Sequence, residues 1–175
     1  MGKKQEEQIN DGQSVLQENQ LLFMQRLNRL SALFAADTQG YRQWIHAHPD
    51  LSGHEQPTAA FVAERLRSFG LKPQMLLDGT AVCALVEGEK NDAAVTGRCI
   101  ALRADMDALP IEEETGLSFA SCQKGVMHAC GHDVHTALLL SVARLLQQTR
   151  GEWSGRVKLV FQPSEEQYPG GAIRL

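Results

Sequence analysis

Residues 127–135 read Met127-His128-Ala129-Cys130-Gly131-His132-Asp133-Val134-His135 and stand directly ahead of a strong helical pattern. Four side chains able to bind a metal (His128, Cys130, His132, His135) and one carboxylate crowd into this stretch. Cys130 and His132 flank Gly131, so both can aim at one point only in a tight loop, which glycine permits. Over 133–148 the apolar residues Ala137, Leu138, Leu139, Leu140, Val142, Ala143, Leu145 and Leu146 predict a helix with a broad buried face. Asp133 is expected to cap its start. A turn over 151–155 leads into an interior-type strand at 157–161, which ends at Phe161-Gln162-Pro163-Ser164-Glu165-Glu166. Upstream, Ile100-Ala101-Leu102 belongs to another interior strand, over 98–103, that runs out into Asp105 and Asp107. Strand, loop, helix and strand in this order predict an α/β sheet with its site at strand ends and helix starts.

Further out, strands are expected over 74–77 and 81–86, separated by Asp78-Gly79 and followed by a polar loop over 87–96. Phe23, Leu27, Leu30 and Phe34 recur at three- and four-residue steps and predict a helix over 21–34. Gly40 is expected to break it, and a short second helix over 41–47 to end at His48-Pro49. A loop over 49–57 precedes a helix over 58–69, stopped by Gly70. Residues 1–20 are polar and expected to be frayed or weakly helical. The expected fold class is α/β, with a mixed, largely parallel sheet and helices on both faces. Residues 1–36 read as a polar or helical extension, and 37–175 as the α/β body.

The 175-residue length is enough for one domain with a real core. A net charge of −4 offers no basic patch, so no nucleic-acid partner is expected. No apolar run approaches the ~18–20 residues of a membrane span, and no membrane association is expected. Gln5 to Asn10 is too polar for a secretory signal, and Gly2 lacks the Ser or Thr that the myristoylation pattern wants at position 6. Cys83 and Cys99 lie in apolar surroundings and are expected to be buried core thiols, with Cys122 in a loop. Four cysteines without a signal read as reduced thiols, and the expected location is cytoplasmic.

The Cys/His cluster and the Glu165-Glu166 pair together suit a hydrolytic metal site. Cys130 and His132 donate to the ion, one glutamate completes its surroundings, and the other moves a proton. Adjacent side chains at a strand end diverge, which suits such a division of labour. Asp105 or Asp107 is placed to hydrogen-bond a ligating imidazole and set its tautomer. A closed structural zinc site would want a second Cys/His knuckle, which the sequence lacks. A Cys–His nucleophile leaves the glutamate pair unexplained. His46, His48 and His54 read as surface or loop-packing residues, and Glu112-Glu113-Glu114 as a solvated charge run.

Four stretches in order carry a resemblance: His48-Pro49-Asp50-Leu51-Ser52; Leu102-Arg103-Ala104-Asp105-Met106-Asp107-Ala108-Leu109-Pro110; 127–136; and 161–166 with Gly170-Gly171-Ala172. Through them the chain resembles the N-terminal part of the aminoacylase/carboxypeptidase-like metallopeptidase amidohydrolases, in the branch of hippurate hydrolases, auxin-conjugate hydrolases and N-acetyl-diaminopimelate deacetylases. The resemblance implies a zinc-peptidase-like catalytic domain over 37–175, incomplete here, followed by an inserted domain that mediates homodimer formation. It implies two divalent metal ions (zinc, manganese or cobalt), with Cys130, His132 and Glu166 as ligands. Glu165 is then the general base, and Asp107 the acid that orients an imidazole. The implied reaction is hydrolysis of the amide bond of an N-acyl amino acid, a small-molecule substrate. Relatives are about twice as long and carry further histidine ligands beyond position 175, and many have Ala where Ser164 stands. The alternative reading is an inactive truncated fragment or interaction module with an incomplete metal site.

Overall fold

The structure, a computed structural model, describes residues 2–92, 95 and 97–175, with side chains from residue 17 onward. The chain divides into two compact units, Met1–Phe34 and Ala35–Leu175. Helix α1 spans Gly2–Ala47. The break expected at Gly40 does not occur. One helical glycine costs only about 0.5–1 kcal/mol, and the turn after it is anchored by buried Ile45 and by Tyr41 and Trp44. Trp44 stacks on Phe61 with centroids 4.0 Å apart, and Tyr41 meets the same ring edge-on. The polar run over 1–20 is helical from Gly2 on.

Helix α2 covers Gln56–Ser68, with a proline in its first turn. Buried Asp50 closes that turn, accepting from Thr58 N at 2.9 Å and Thr58 Oγ1 at 2.7 Å. Strands β1 (Gln74–Leu76) and β2 (Ala81–Glu87) form an antiparallel pair. Their connection, residues 77–80, carries Leu77 at φ 51°, Asp78 at φ 55° and Gly79 at φ 87°, three successive residues in the left-handed region. Strand β3 (Cys99–Asp105) runs through a long connection into α3 (His132–Gln148) and then β4 (Arg156–Gln162), which lies parallel to β3 and antiparallel to β2. The sheet order is β1-β2-β4-β3.

Strand β4 shows why the sheet sits as it does. Val157, Leu159 and Phe161 alternate with Arg156 and Lys158 and point into the core. Their cross-strand partners Val86, Ala84 and Val82 share that face, and Val62, Leu66, Leu139, Leu140 and Ala143 from α2 and α3 cover it. Fully burying one such side chain contributes about 1.5–3 kcal/mol. The mixed α/β fold is the expected one, with local differences. One ladder of three is parallel, and among the described residues the helices lie on one face of the sheet. Strand β3, expected in the interior, is an edge strand among them, with Ile100 60 % exposed. Cys99, expected to be buried, is therefore exposed at its start, opposite Arg156; Cys83 is buried. Part of the polar loop expected over 87–96 lies outside the described residues.

Candidate metal centre

The parallel pair β3/β4 places two chain segments side by side at its carboxyl end, and the start of α3 comes down between them. Asp107 follows β3, Cys130 and His132 open α3, and Glu165 and Glu166 follow β4. Gly131 sits at φ 87° as the N-cap residue, which lets the chain turn sharply between the two donors that flank it. Cys130, His132 and Glu166 each offer one ligand atom, and these atoms lie within 4.8 Å of one another. His132 Nε2 is 3.9 Å from Glu165 Oε2 and 4.0 Å from Glu166 Oε1, so both glutamates face one nitrogen.

Asp107, fully buried, organises this convergence. Its carbonyl oxygen lies 2.9 Å from His132 Nδ1, and its Oδ1 lies 3.4 Å from the same nitrogen. The Nδ1–H is thus donated to Asp107, which turns Nε2 toward the glutamates and Cys130. The other carboxylate oxygen accepts from Ser52 Oγ at 2.7 Å and from Glu166 N at 2.9 Å. Burial opposes ionisation of Asp107, but the hydrogen bonds from His132, Ser52 and the Glu166 and Glu165 backbone outweigh it and hold the carboxyl below the ordinary range. Burial likewise disfavours charge on His132, yet the Asp107 carboxylate and the Cys130 thiol push it up to about 11.

Asp105, His132 and His135 form a second group of donors. There Arg103 already places Nε and Nη2 at 2.9 and 2.7 Å from Asp105 Oδ1, so a guanidinium already partners this carboxylate. The Cys130/His132/Glu166 group has no such occupant among its hydrogen bonds and ion pairs, and its soft and borderline donors suit a divalent ion of the zinc type. His128 lies apart from both groups. It is buried, neither ring nitrogen has a hydrogen-bond partner, and burial pushes its pKa down to about 4.

Several sequence expectations change at this level. Asp133 makes no cap; it is buried and takes His46 Nδ1 at 2.8 Å and Arg42 Nε at 3.1 Å on the same oxygen. His46, read as a surface or loop-packing residue, is of the second kind: it is buried, with Nε2 3.2 Å from Glu113 Oε1. Glu113 also accepts from Thr115 and from Ser121 N, so it leaves the solvated run assigned to it. Ser52 and Glu55, both from the loop before α2, touch the site region and were not marked as functional by the sequence. A Ser or Glu in a polar loop has no local signature, and the partners are 55 and 109 residues away.

A mixed, open α/β sheet with Cys, His and paired Glu gathered at its carboxyl end is an arrangement that could hold a divalent ion for hydrolysis. Residues 101–175, which carry these donors, match the model of Peptidase family M20/M25/M40. The chain is 45 % identical over 151 residues to an N-acyl-L-amino acid amidohydrolase of Geobacillus stearothermophilus, across 86 % of this chain and 40 % of that relative. To an N-acetyl-L-cysteine deacetylase of Bacillus subtilis (strain 168) it is 47 % identical over 127 residues, 73 % of this chain and 29 % of the relative. Among solved structures it superimposes on the YXEP protein of Bacillus subtilis, described as a dinuclear metal-binding peptidase of the M20 family. That match has a TM-score of 0.73 and 40 % identity, and covers 79 % of this chain and 38 % of that one. The chain spans well under half the length of these relatives. No helix of the described residues is long and apolar enough to cross a membrane.

Proposed function

We propose that this chain contributes the first metal ligands and the general base of a metal-dependent amidohydrolase acting on N-acyl amino acids. Cys130, His132 and Glu166 are the ligands, Glu165 the base, and Asp107 the residue that orients His132. The observation that carries the reading is the meeting of thiol, imidazole and carboxylate within 4.8 Å, with a second carboxylate 3.9 Å from the same imidazole nitrogen. The named activity of the Geobacillus relative and the dinuclear centre of the Bacillus one support it, and we carry over two divalent ions from the latter. When bound, such ions supply Lewis-acid chemistry, polarising an amide carbonyl and acidifying water.

The chain's own groups do the rest. Asp107 holds the His132 Nδ1–H, so that Nε2 is the nitrogen that would bind an ion once its own proton has left. Glu165 is less enclosed than Glu166, with 41 % against 30 % side-chain exposure, and stands open to water and substrate. It takes a proton from attacking water and returns it to the leaving amine. In the full-length protein, Glu165→Ala should lower kcat on acetyl- or benzoyl-amino acids about 10²- to 10⁴-fold while metal content stays near that of the wild type. Cys130→Ala should lower the metal-to-protein ratio. Wild-type turnover in Glu165→Ala, or an unchanged ratio in Cys130→Ala, would remove the assignment; a full-length protein binding no metal would favour an interaction module.

A further inference from the structure

Glu55 is fully buried, yet its carboxylate serves no purpose in its own helix: as the N-cap residue of α2 it makes no side-chain capping bond. Oε1 instead accepts from Gly53 N at 2.9 Å, from Ser164 N at 2.8 Å and from Ser164 Oγ at 3.2 Å. Ser164 immediately precedes Glu165 and has φ 53°, in the left-handed region that a residue with a Cβ occupies at a cost of order 1 kcal/mol. The residue is gripped from its other side as well, since its carbonyl accepts from Gly171 N at 2.9 Å. A Cβ on Gly171 would fall 1.9 Å from the Pro163 carbonyl oxygen, so that closure demands glycine. A buried carboxylate is costly unless its lone pairs are used. Oε2 has no hydrogen-bond partner among the described residues, so all the bonds of this carboxylate run through Oε1, two of the three to the strained backbone unit that turns the chain from β4 toward Cys130 and His132.

We propose that Glu55 is a positioning residue of the metal centre, holding the left-handed turn at Ser164 that presents Glu166 beside Cys130 and His132 and keeps Glu165 next to them. The inference rests on the metal-centre reading above. Without the acceptor, Ser164 relaxes toward ordinary φ and the two glutamates leave together.

The test uses the full-length protein, stripped of metal, with zinc ion as the probe in competition against a chromophoric chelator, and kcat and KM measured separately after reloading. Glu55→Ala should weaken zinc binding about tenfold or more, as loss of support behind a ligand does, and lower kcat with KM changed less than about twofold. Glu55→Gln keeps an acceptor at Oε1 and should stay within about threefold of wild type on both. Ser164→Gly added to Glu55→Ala should recover part of both losses, because glycine takes the left-handed conformation freely. A purely structural role would show only a lower melting temperature, with no recovery from the glycine. Glu55→Asp, which withdraws the carboxylate by one methylene and keeps the charge, carries the same comparison if the alanine variant does not fold. Wild-type zinc affinity in Glu55→Ala or Glu55→Asp, damage in Glu55→Gln equal to that in Glu55→Ala, or no recovery with Ser164→Gly overturns the inference. Cys130→Ala separates the two levels: zinc binding that this variant loses but the Glu55 variants keep sinks the positioning role alone. Zinc binding absent from the wild type sinks the metal reading beneath it.

Discussion

Asp107 shows how much one buried side chain can arrange. It receives His132, Ser52 and the Glu166 backbone, three contacts from three different segments, and so ties the start of α3 to the ends of β3 and β4. His128, a few residues before His132, illustrates the opposite case, a buried imidazole with no partner on either nitrogen. Its folded pKa of about 4 lies below the ordinary 6.5, so unfolding takes up a proton at any pH between these values. The neutral ring therefore favours the folded state fully above pH 6.5, and that contribution is lost as pH falls toward 4, up to about 3 kcal/mol in total. Thermal melts of metal-stripped protein between pH 7 and 4 should show a steep fall, and His128→Phe should flatten it. Equal slopes in the two proteins would show that His128 is not the group responsible.

At the scale of elements, the difference between expectation and structure at α1 is instructive. Gly40 is exposed, and a Cβ built there meets no atom within 4 Å. It marks a weak point in a helix that tertiary packing of Tyr41, Trp44 and Ile45 carries through. Gly40→Ala should therefore raise stability by about 0.5–1 kcal/mol, read as a higher denaturant midpoint with unchanged slope. A lowered midpoint would mean that the glycine has a contact or conformation that an ordinary helix lacks. The strands were more legible than the helix ends. The apolar run over 157–161, and the break at Asp78-Gly79 between two strand-like stretches, are local patterns that survive in the sheet. Edge or interior position is not local, and the apolar run Ile100-Ala101-Leu102 misled on that point.

At the scale of the molecule, Arg42 and His46 of α1, Asp133 of α3 and Glu113 of the loop between β3 and α3 form one connected set of polar side chains. Asp133 is 1 % and His46 3 % exposed, while half-exposed Arg42 adds less because water screens it. Asp133→Ala leaves His46 Nδ1 buried without its acceptor and should cost roughly 3 kcal/mol, measured by chemical denaturation. A loss below about 1 kcal/mol would show that the network is dispensable for the fold. The sequence by itself determined the α/β class and the main strands, and it marked Cys130, His132 and the Glu165-Glu166 pair as candidate donors, because metal-binding side chains at short spacings and periodic apolar residues are local signals. Tertiary structure alone decided that Ser52, Glu55, His46 and Asp133 serve the region of the centre. Their chemistry lies in contacts made 55 to 109 residues away, and a buried polar group declares its role only once its partner is in place.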